Sequence, residues 1–405
     1  MSFLIKPLIL LTVFLTPLLG AYQGFGYEQI KVLFFIFSIS LIGFIWIFGK
    51  PKLEWNLIKL ASFLFILTLF LSSGLGINFK SSFLGVEPYY QGLIVYAYLF
   101  VFSLIVSNLS INLKSYSVVL VGSGVVVALV ALQDWFLKNI WGVEIPNYAG
   151  RVVSTFGQPN FYSGFLLLTL PFSYFLLKTQ DKRMQFLGWG SGLISMLGIL
   201  VSYSRSAIIL ALILLILALV DQLKIKKMAV VILLIVVLAS ILSINFSSGF
   251  IWKEFLKPLQ TQNPDLTQES VESRVYIWPQ AVRVGLEKPL FGYGLENISF
   301  SFSNYFEKNK HPIFEENLNI SPVLISLKDL SLDRTHNYIL DLFLFSGVFG
   351  VIAYLILIIL LFKKVKQKTL LIGLITYLIW VQFQNQSLVH LLYFWFLVGV
   401  IDKDI

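Results

Sequence analysis

Five of the six arginines in this chain, Arg151, Arg205, Arg274, Arg283 and Arg334, fall between apolar stretches on one side of a membrane, the side where basic residues ordinarily do not gather. Arginine carries a planar fork of donors that pairs phosphate oxygens two at a time, so this placement suits a phosphate or diphosphate group. His336 stands beside the last of them, where a long polar loop re-enters apolar sequence. Cations depress the pKa of a nearby imidazole, which keeps it neutral and able to accept a proton. Asn337 and Asp341 lie within about a turn of it and are positioned to orient or tune the ring. Arginines with an adjacent base are the equipment for a reaction at a lipid-linked phosphate.

Each group has a plainer reading beside it. In Arg151-Val-Val-Ser-Thr-Phe-Gly-Gln-Pro-Asn160, Gly157 and Pro159 suit a tight turn into a helix and Asn160 sits at its expected cap, yet capping does not call for Arg151. In Ser202-Tyr203-Ser204-Arg205-Ser206 the hairpin is so short that Arg205 lies near the membrane surface. A snorkelling side chain would explain that position, but not the hydroxyls around it. Residues 270–286 read as a helix lying on the membrane, with Val271, Val275, Trp278 and Val282 as one apolar stripe, Pro279 as a kink or start, and Arg274 at headgroup level. Phe300, Phe302, Tyr305 and Phe306 form a second apolar segment, for burial against the bilayer or as the lid of a groove. Pro289-Leu-Phe-Gly-Tyr-Gly294 reads as a turn, since no strand precedes it as a nucleotide loop requires. A lone histidine at a helix start is often only a cap; His336 is set apart by its arginines, whereas His311 and His390 lack such neighbours and read as structural. The acidic residues of the long loop show no metal-ligand spacing, so no metal and no cofactor is expected.

What must position these groups is a bundle in lipid. The chain is 57% hydrophobic and 13% charged, with a mean hydropathy of +0.83. Continuous apolar runs predict about twelve helical spans, at 7–22, 30–49, 57–77, 89–107, 115–136, 161–177, 186–203, 206–220, 228–246, 337–362, 369–384 and 388–401. The fold class is therefore all-α and polytopic. Residues 1–405 form one integral membrane domain, and the loop 247–336 between spans nine and ten is long enough to carry function. Lysines around 50–59, 178–183, 224–227 and 363–368 assign those loops to the cytoplasm, which puts both termini inside and the arginine-bearing face outside. The first apolar run is expected to be an uncleaved span rather than a signal peptide. With no cysteine, disulfides and thiolate chemistry are excluded. The net charge of +9 comes mostly from lysines facing anionic lipid, so the bilayer and not nucleic acid is the expected partner.

Taken in order, Arg151 to Asn160, Ser202 to Ser206, Arg274 with Trp278, Pro289 to Gly294 and His336-Asn337 resemble the O-antigen ligase and O-antigen polymerase superfamily of bacterial envelope glycan enzymes, which includes protein O-oligosaccharyltransferases. The likeness runs from about residue 80 to the end. It implies a GT-C-like bundle in the bacterial cytoplasmic membrane. The implied reaction is metal-independent transfer of a glycan from undecaprenyl diphosphate to a hydroxyl of a lipid, glycan or protein acceptor at the outer face. By matching position, Arg205 and Arg274 would bind the donor diphosphate, His336 would act as base, and Arg151 would be a third contact, with Asn337, Asn160 and Trp278 in support. The pattern departs from the family at Glu87-Pro-Tyr-Tyr-Gln-Gly92, where Tyr90 stands for a frequent arginine; Tyr89 and Tyr90 read as interfacial aromatics or as a stacking surface for a sugar ring, the former favoured. Two other readings remain open at this level: a carrier of lipid-linked glycan, and a polymerase whose base is a carboxylate, Asp341 or Glu87.

Overall fold

The computed structural model describes residues 2–51, 53–109, 112–223, 271–309 and 332–403, and for residues 2, 223, 271–276 and 306–309 the backbone alone. The ninth expected span at 228–246, the lysines around 224–227, His311 and most of the long loop lie outside the described residues, as do the side chains of Arg274, Val271, Val275 and Phe306.

The described chain folds as α1 (Ser2–Leu15), α2 (Tyr27–Phe48), α3 (Leu57–Leu75), α4 (Phe79–Leu84), α5 (Leu93–Asn108), α6 (Leu113–Asn139) and α7 (Pro159–Leu177). It continues with α8 (Lys182–Val201), α9 (Arg205–Leu223), α10 (Val271–Glu287), α11 (Ile298–Asn309), α12 (Tyr338–Lys364), α13 (Lys368–Trp380) and α14 (Leu388–Lys403). A two-stranded ribbon, Asn147–Tyr148 against Arg151–Val152, closes the turn that presents Arg151. Each expected span outside 228–246 is helical over most of its length. Among the described residues seven helices, α2, α3, α6, α7, α8, α9 and α12, are long and apolar enough to cross a membrane, and α1, α5 and α13 are shorter apolar helices. Large apolar side chains stand exposed on outward faces, Phe37 and Phe44 on α2, Phe186 and Leu193 on α8. Water would not tolerate that surface, whereas lipid does. The molecule is a polytopic helical membrane protein.

Burial sorts the helices. In α14 the run from Leu388 to Asp402 is buried throughout, so this helix is wrapped by protein, with Trp395 stacked on Phe65 of α3 and Phe396 face to face with Tyr116 of α6. At one end of the bundle lysines and acids meet: Lys59 with Asp402 at 3.3 Å, Lys114 with Asp181 at 3.1 Å, and Lys178 and Lys368 with Asp221 at 3.2 and 2.9 Å. Of these helices, α9 begins with Arg205 and α6 leads into the ribbon of Arg151, while α12, which ends in Lys363 and Lys364, starts just after His336.

One helix is broken to build that other end. Gly347 in α12 has φ 62° and ψ −163°, far outside helical values, and the break frees the carbonyls of Leu344 and Phe345. The turn Pro289–Gly294 fills the gap: the N–H groups of Tyr293 and Gly294 donate to those two carbonyls, both at 2.8 Å, and Val348 N–H donates back to Pro289 at 2.8 Å. The expected turn is therefore present, and its use is to satisfy backbone that apolar surroundings could not. A Cβ on Gly347 would meet the Leu290 carbonyl, and one on Gly292, at φ 64°, the Leu344 carbonyl. Gly347→Ala is expected to cost about 1–3 kcal/mol from left-handed strain and overlap. Thermal unfolding in detergent measures it, and an unchanged midpoint would mean that the wedge is dispensable.

Three expected boundaries shift. The span placed at 369–384 ends at Trp380, because the glutamines and asparagine that follow turn inward to bond distant elements and leave 381–387 irregular. The cap of α7 is Gln158, not Asn160: Pro159 takes the first helical position, where its fixed φ and missing N–H cost nothing, and Asn160 is buried one residue further on. Among the described side chains of α10, Ile277, Ala281 and Val284 are fully buried, while Val282 is exposed and Trp278 half-buried, so over residues 277–287 the packed face is rotated from the expected stripe.

Candidate active site

The segment Leu332–Asn337 enters α12 under restraint from all sides. Asn337 caps the helix, its Oδ1 accepting Leu340 N–H at 3.1 Å. The cap is thus Asn337, which leaves His336 without that duty. Asp341 Oδ1 accepts both the N–H and the hydroxyl of Thr335, each at 2.7 Å. Trp278 of α10 donates its indole N–H to the Thr335 carbonyl at 2.9 Å, and Ser299 of α11 donates to Leu332 O at 3.0 Å. His336 itself is 2% exposed and has φ 59°. A left-handed histidine is strained and persists only where its surroundings over-determine it, which these bonds do. Asp341 orients the backbone immediately before the imidazole.

Arg334 departs from the expected anion-facing row. It is 5% exposed, its Nη2 donates to Glu296 Oε1 at 2.5 Å, its Nη1 donates to Asp333 O at 2.9 Å, and its guanidinium lies 4.3 Å over the Tyr89 ring. Burial opposes its charge, but Glu296 and Asp341 more than offset that and hold it protonated. Burial also pushes the Glu296 carboxyl above its ordinary range while Arg334 pulls it back. Asp333 is raised by burial in the same way. Tyr89 is consequently buried beneath Arg334 and accepts from Asn385 Nδ2 at 2.8 Å, where an interfacial aromatic was expected. Tyr90, half-buried, stays at the rim and Glu87 is exposed.

The other arginines fall in distinct places. Arg205 is half-buried at the first turn of α9, after a hairpin in which Ser202 Oγ accepts Ser204 N–H at 3.0 Å and Tyr203 holds φ 53°. Arg151 is half-buried on its ribbon, and the buried Tyr162 of α7, a neighbour of Ser202, lies within its electrostatic reach. The ribbon and the Arg205 hairpin therefore share a corner. Arg283 is exposed on α10, and for Arg274 the backbone alone is described, in the turn of α10 before Trp278. No group of three or more His, Asp or Glu able to hold a metal occurs among the described residues.

Two parts of this end were not anticipated. Glu28 and Lys31, 3.7 Å apart and both buried, sit in the first turns of α2: Lys31 donates to Thr155 O at 2.8 Å and Glu28 Oε2 accepts Leu388 N–H at 2.8 Å. The pair thereby joins α2, the loop after Arg151 and the start of α14. Charges within an apolar stretch were the available signal. The second is the loop 381–387, whose run Gln382-Phe-Gln-Asn-Gln386 is legible as polar, although the expected span at 369–384 takes in its first three residues. His390 next to it is structural, as expected, with its Nδ1 accepting Ser387 N–H at 3.0 Å and its ring stacked on Trp380 at 4.3 Å.

The described helical membrane bundle thus carries a restrained histidine, arginines at helix entrances and buried polar links. Residues 190–355 match the family described as O-antigen ligase, and over this stretch the chain is similar to that family. The matched stretch contains Arg205, Arg274, Trp278, His336 and Asn337, and leaves Arg151 and Asn160 outside it. No curated protein matches the chain.

Proposed function

We propose that the protein is a ligase-like or polymerase-like glycosyltransferase of cell-surface polysaccharide biosynthesis. It moves a glycan from undecaprenyl diphosphate to an acceptor hydroxyl of a lipid, glycan or protein. The site opens at the outer face of the bacterial cytoplasmic membrane, both termini are cytoplasmic, and the bundle is a GT-C-like domain of about twelve spans. His336 takes the proton of the acceptor alcohol as its oxygen attacks the anomeric carbon. The bond from that carbon to the diphosphate oxygen breaks, and the electron pair leaves with the diphosphate. Arg205 and Arg274, with Arg151 as a third contact, neutralise the charge that develops there, the form of stabilisation worth most in a partly dry site. Metal-free neutralisation suits guanidinium forks.

The observation that carries this reading is the restraint on His336: Trp278, Thr335, Asn337 and Asp341 converge on the backbone around one strained imidazole inside the family-matched stretch. The carboxylate-base alternative has less support, since Asp341 already accepts two bonds from Thr335.

The test is to incubate purified protein with a labelled undecaprenyl-diphosphate oligosaccharide and cell-envelope acceptors. Label in a discrete adduct means ligase and a ladder means polymerase. Donor moved across vesicles without a new bond would mean a carrier. In the same assay Arg205→Lys is expected to lose about tenfold to a hundredfold in transfer, because a point charge cannot supply the bidentate fork. Wild-type turnover in that variant would assign Arg205 to snorkelling.

A further inference from the structure

Among the described residues, the loop between α13 and α14 is hydrogen-bonded on one side to the helix that begins with Arg205 and on the other to the tyrosine beneath Arg334. Gln384 Nε2 donates to Ser206 Oγ, next to Arg205, at 3.0 Å. Asn385 Nδ2 donates to Tyr89 OH at 2.8 Å, and Tyr89 supports the Arg334 guanidinium two residues before His336. The loop is itself held fast. Gln91 Nε2 donates to Gln386 O at 2.7 Å, Tyr377 OH donates to Gln386 Oε1 at 2.7 Å, Tyr338 N–H donates to Val381 O at 3.0 Å, and Glu28 fixes its far end at Leu388. Gln384, Asn385, Gln386 and Ser387 are all buried. Burying four polar side chains in succession between apolar helices is costly unless each is bonded, so such a loop persists where its geometry matters.

From this we infer that Gln384 and Asn385 are positioning residues: the loop sets the placement of Arg205 relative to His336, Gln384 through Ser206 and Asn385 through Tyr89 and Arg334. The inference rests on the proposed reading, in which departing diphosphate and attacking alcohol are served by these two groups. Transfer of this kind is sensitive to misplacement of about 1 Å. A clamp bonded to both supports, and anchored independently of either, holds that separation while donor and acceptor exchange.

The two arms make opposite predictions. Gln384→Ala and Ser206→Ala should each weaken binding of undecaprenyl diphosphate roughly fivefold, and the double variant should be no weaker than either single one, since both remove one bond. Ser206→Thr, which keeps the hydroxyl, should bind as the wild type does. Tyr89→Phe and Asn385→Ala should leave that affinity unchanged and lower kcat of transfer about fivefold to tenfold, again without additivity. Ser206→Ala and Tyr89→Phe delete single hydroxyls and retain the fold. Affinity and turnover falling in parallel in all variants, or doubles equal to the product of the singles, would overturn the inference and leave the loop as packing. If the wild type transfers no glycan, the proposed function fails, while the Gln384–Ser206 cycle on undecaprenyl diphosphate affinity still reports on this arm.

Discussion

Replacing His336 by asparagine is expected to reduce glycan transfer by about two to four orders of magnitude, the range a positioned general base contributes. Binding of undecaprenyl diphosphate should be little changed. Asparagine is the informative substitution because His336 sits at φ 59°, and asparagine tolerates the left-handed region better than alanine does. His336→Ala should lose transfer to the same degree, with an added cost in stability from the same strain. Asparagine fills the position, keeps a polar side chain and cannot take a proton at neutral pH. Free imidazole added to His336→Gly should restore part of the rate if the missing group is a base. Transfer near the wild-type level in His336→Asn would remove the imidazole from the mechanism and return attention to the carboxylates.

The second large effect is structural. Arg334→Met is expected to lower stability by about 3–5 kcal/mol, because it leaves Glu296 buried and uncompensated. The double variant Arg334→Met with Glu296→Met should recover most of the loss, since two apolar side chains of similar length need no partner. Unfolding midpoints in detergent for the wild type, both single variants and the double variant give the coupling directly. A role for Arg334 in holding substrate predicts something else: the single variant would melt normally and lose donor affinity, and removing Glu296 would not bring that affinity back. A double variant no more stable than Arg334→Met would show that Glu296 finds other partners.

The contrast between Arg334 and Arg205 shows where reading the chain alone succeeds. Both were assigned to one polar face by the alternation of apolar runs, a local property that survives in the helices observed. The turn at Pro289–Gly294 was likewise legible from its glycines and proline. Its insertion into the break at Gly347 was not, because the carbonyls freed there accept from backbone N–H groups some fifty residues away in sequence. From the sequence Tyr89 reads as interfacial, as an aromatic near a span end usually is; a guanidinium above it and an asparagine nearly three hundred positions later make it part of the interior. The span placed at 369–384 ran too far for a related reason, since glutamine and asparagine interrupt an apolar run only where partners elsewhere receive them.

By itself, then, the sequence determined the membrane class, the positions of the described apolar helices, and a resemblance that the family match at 190–355 supports. These follow from spacing, hydropathy and charge bias, which act over a few residues or one helix. Tertiary structure alone decided which arginine is committed to Glu296, which tyrosine lies beneath it, and which loop joins the two halves of the site. A buried charge or amide is stable only beside a partner of fitting geometry, and the chain brings that partner from another helix.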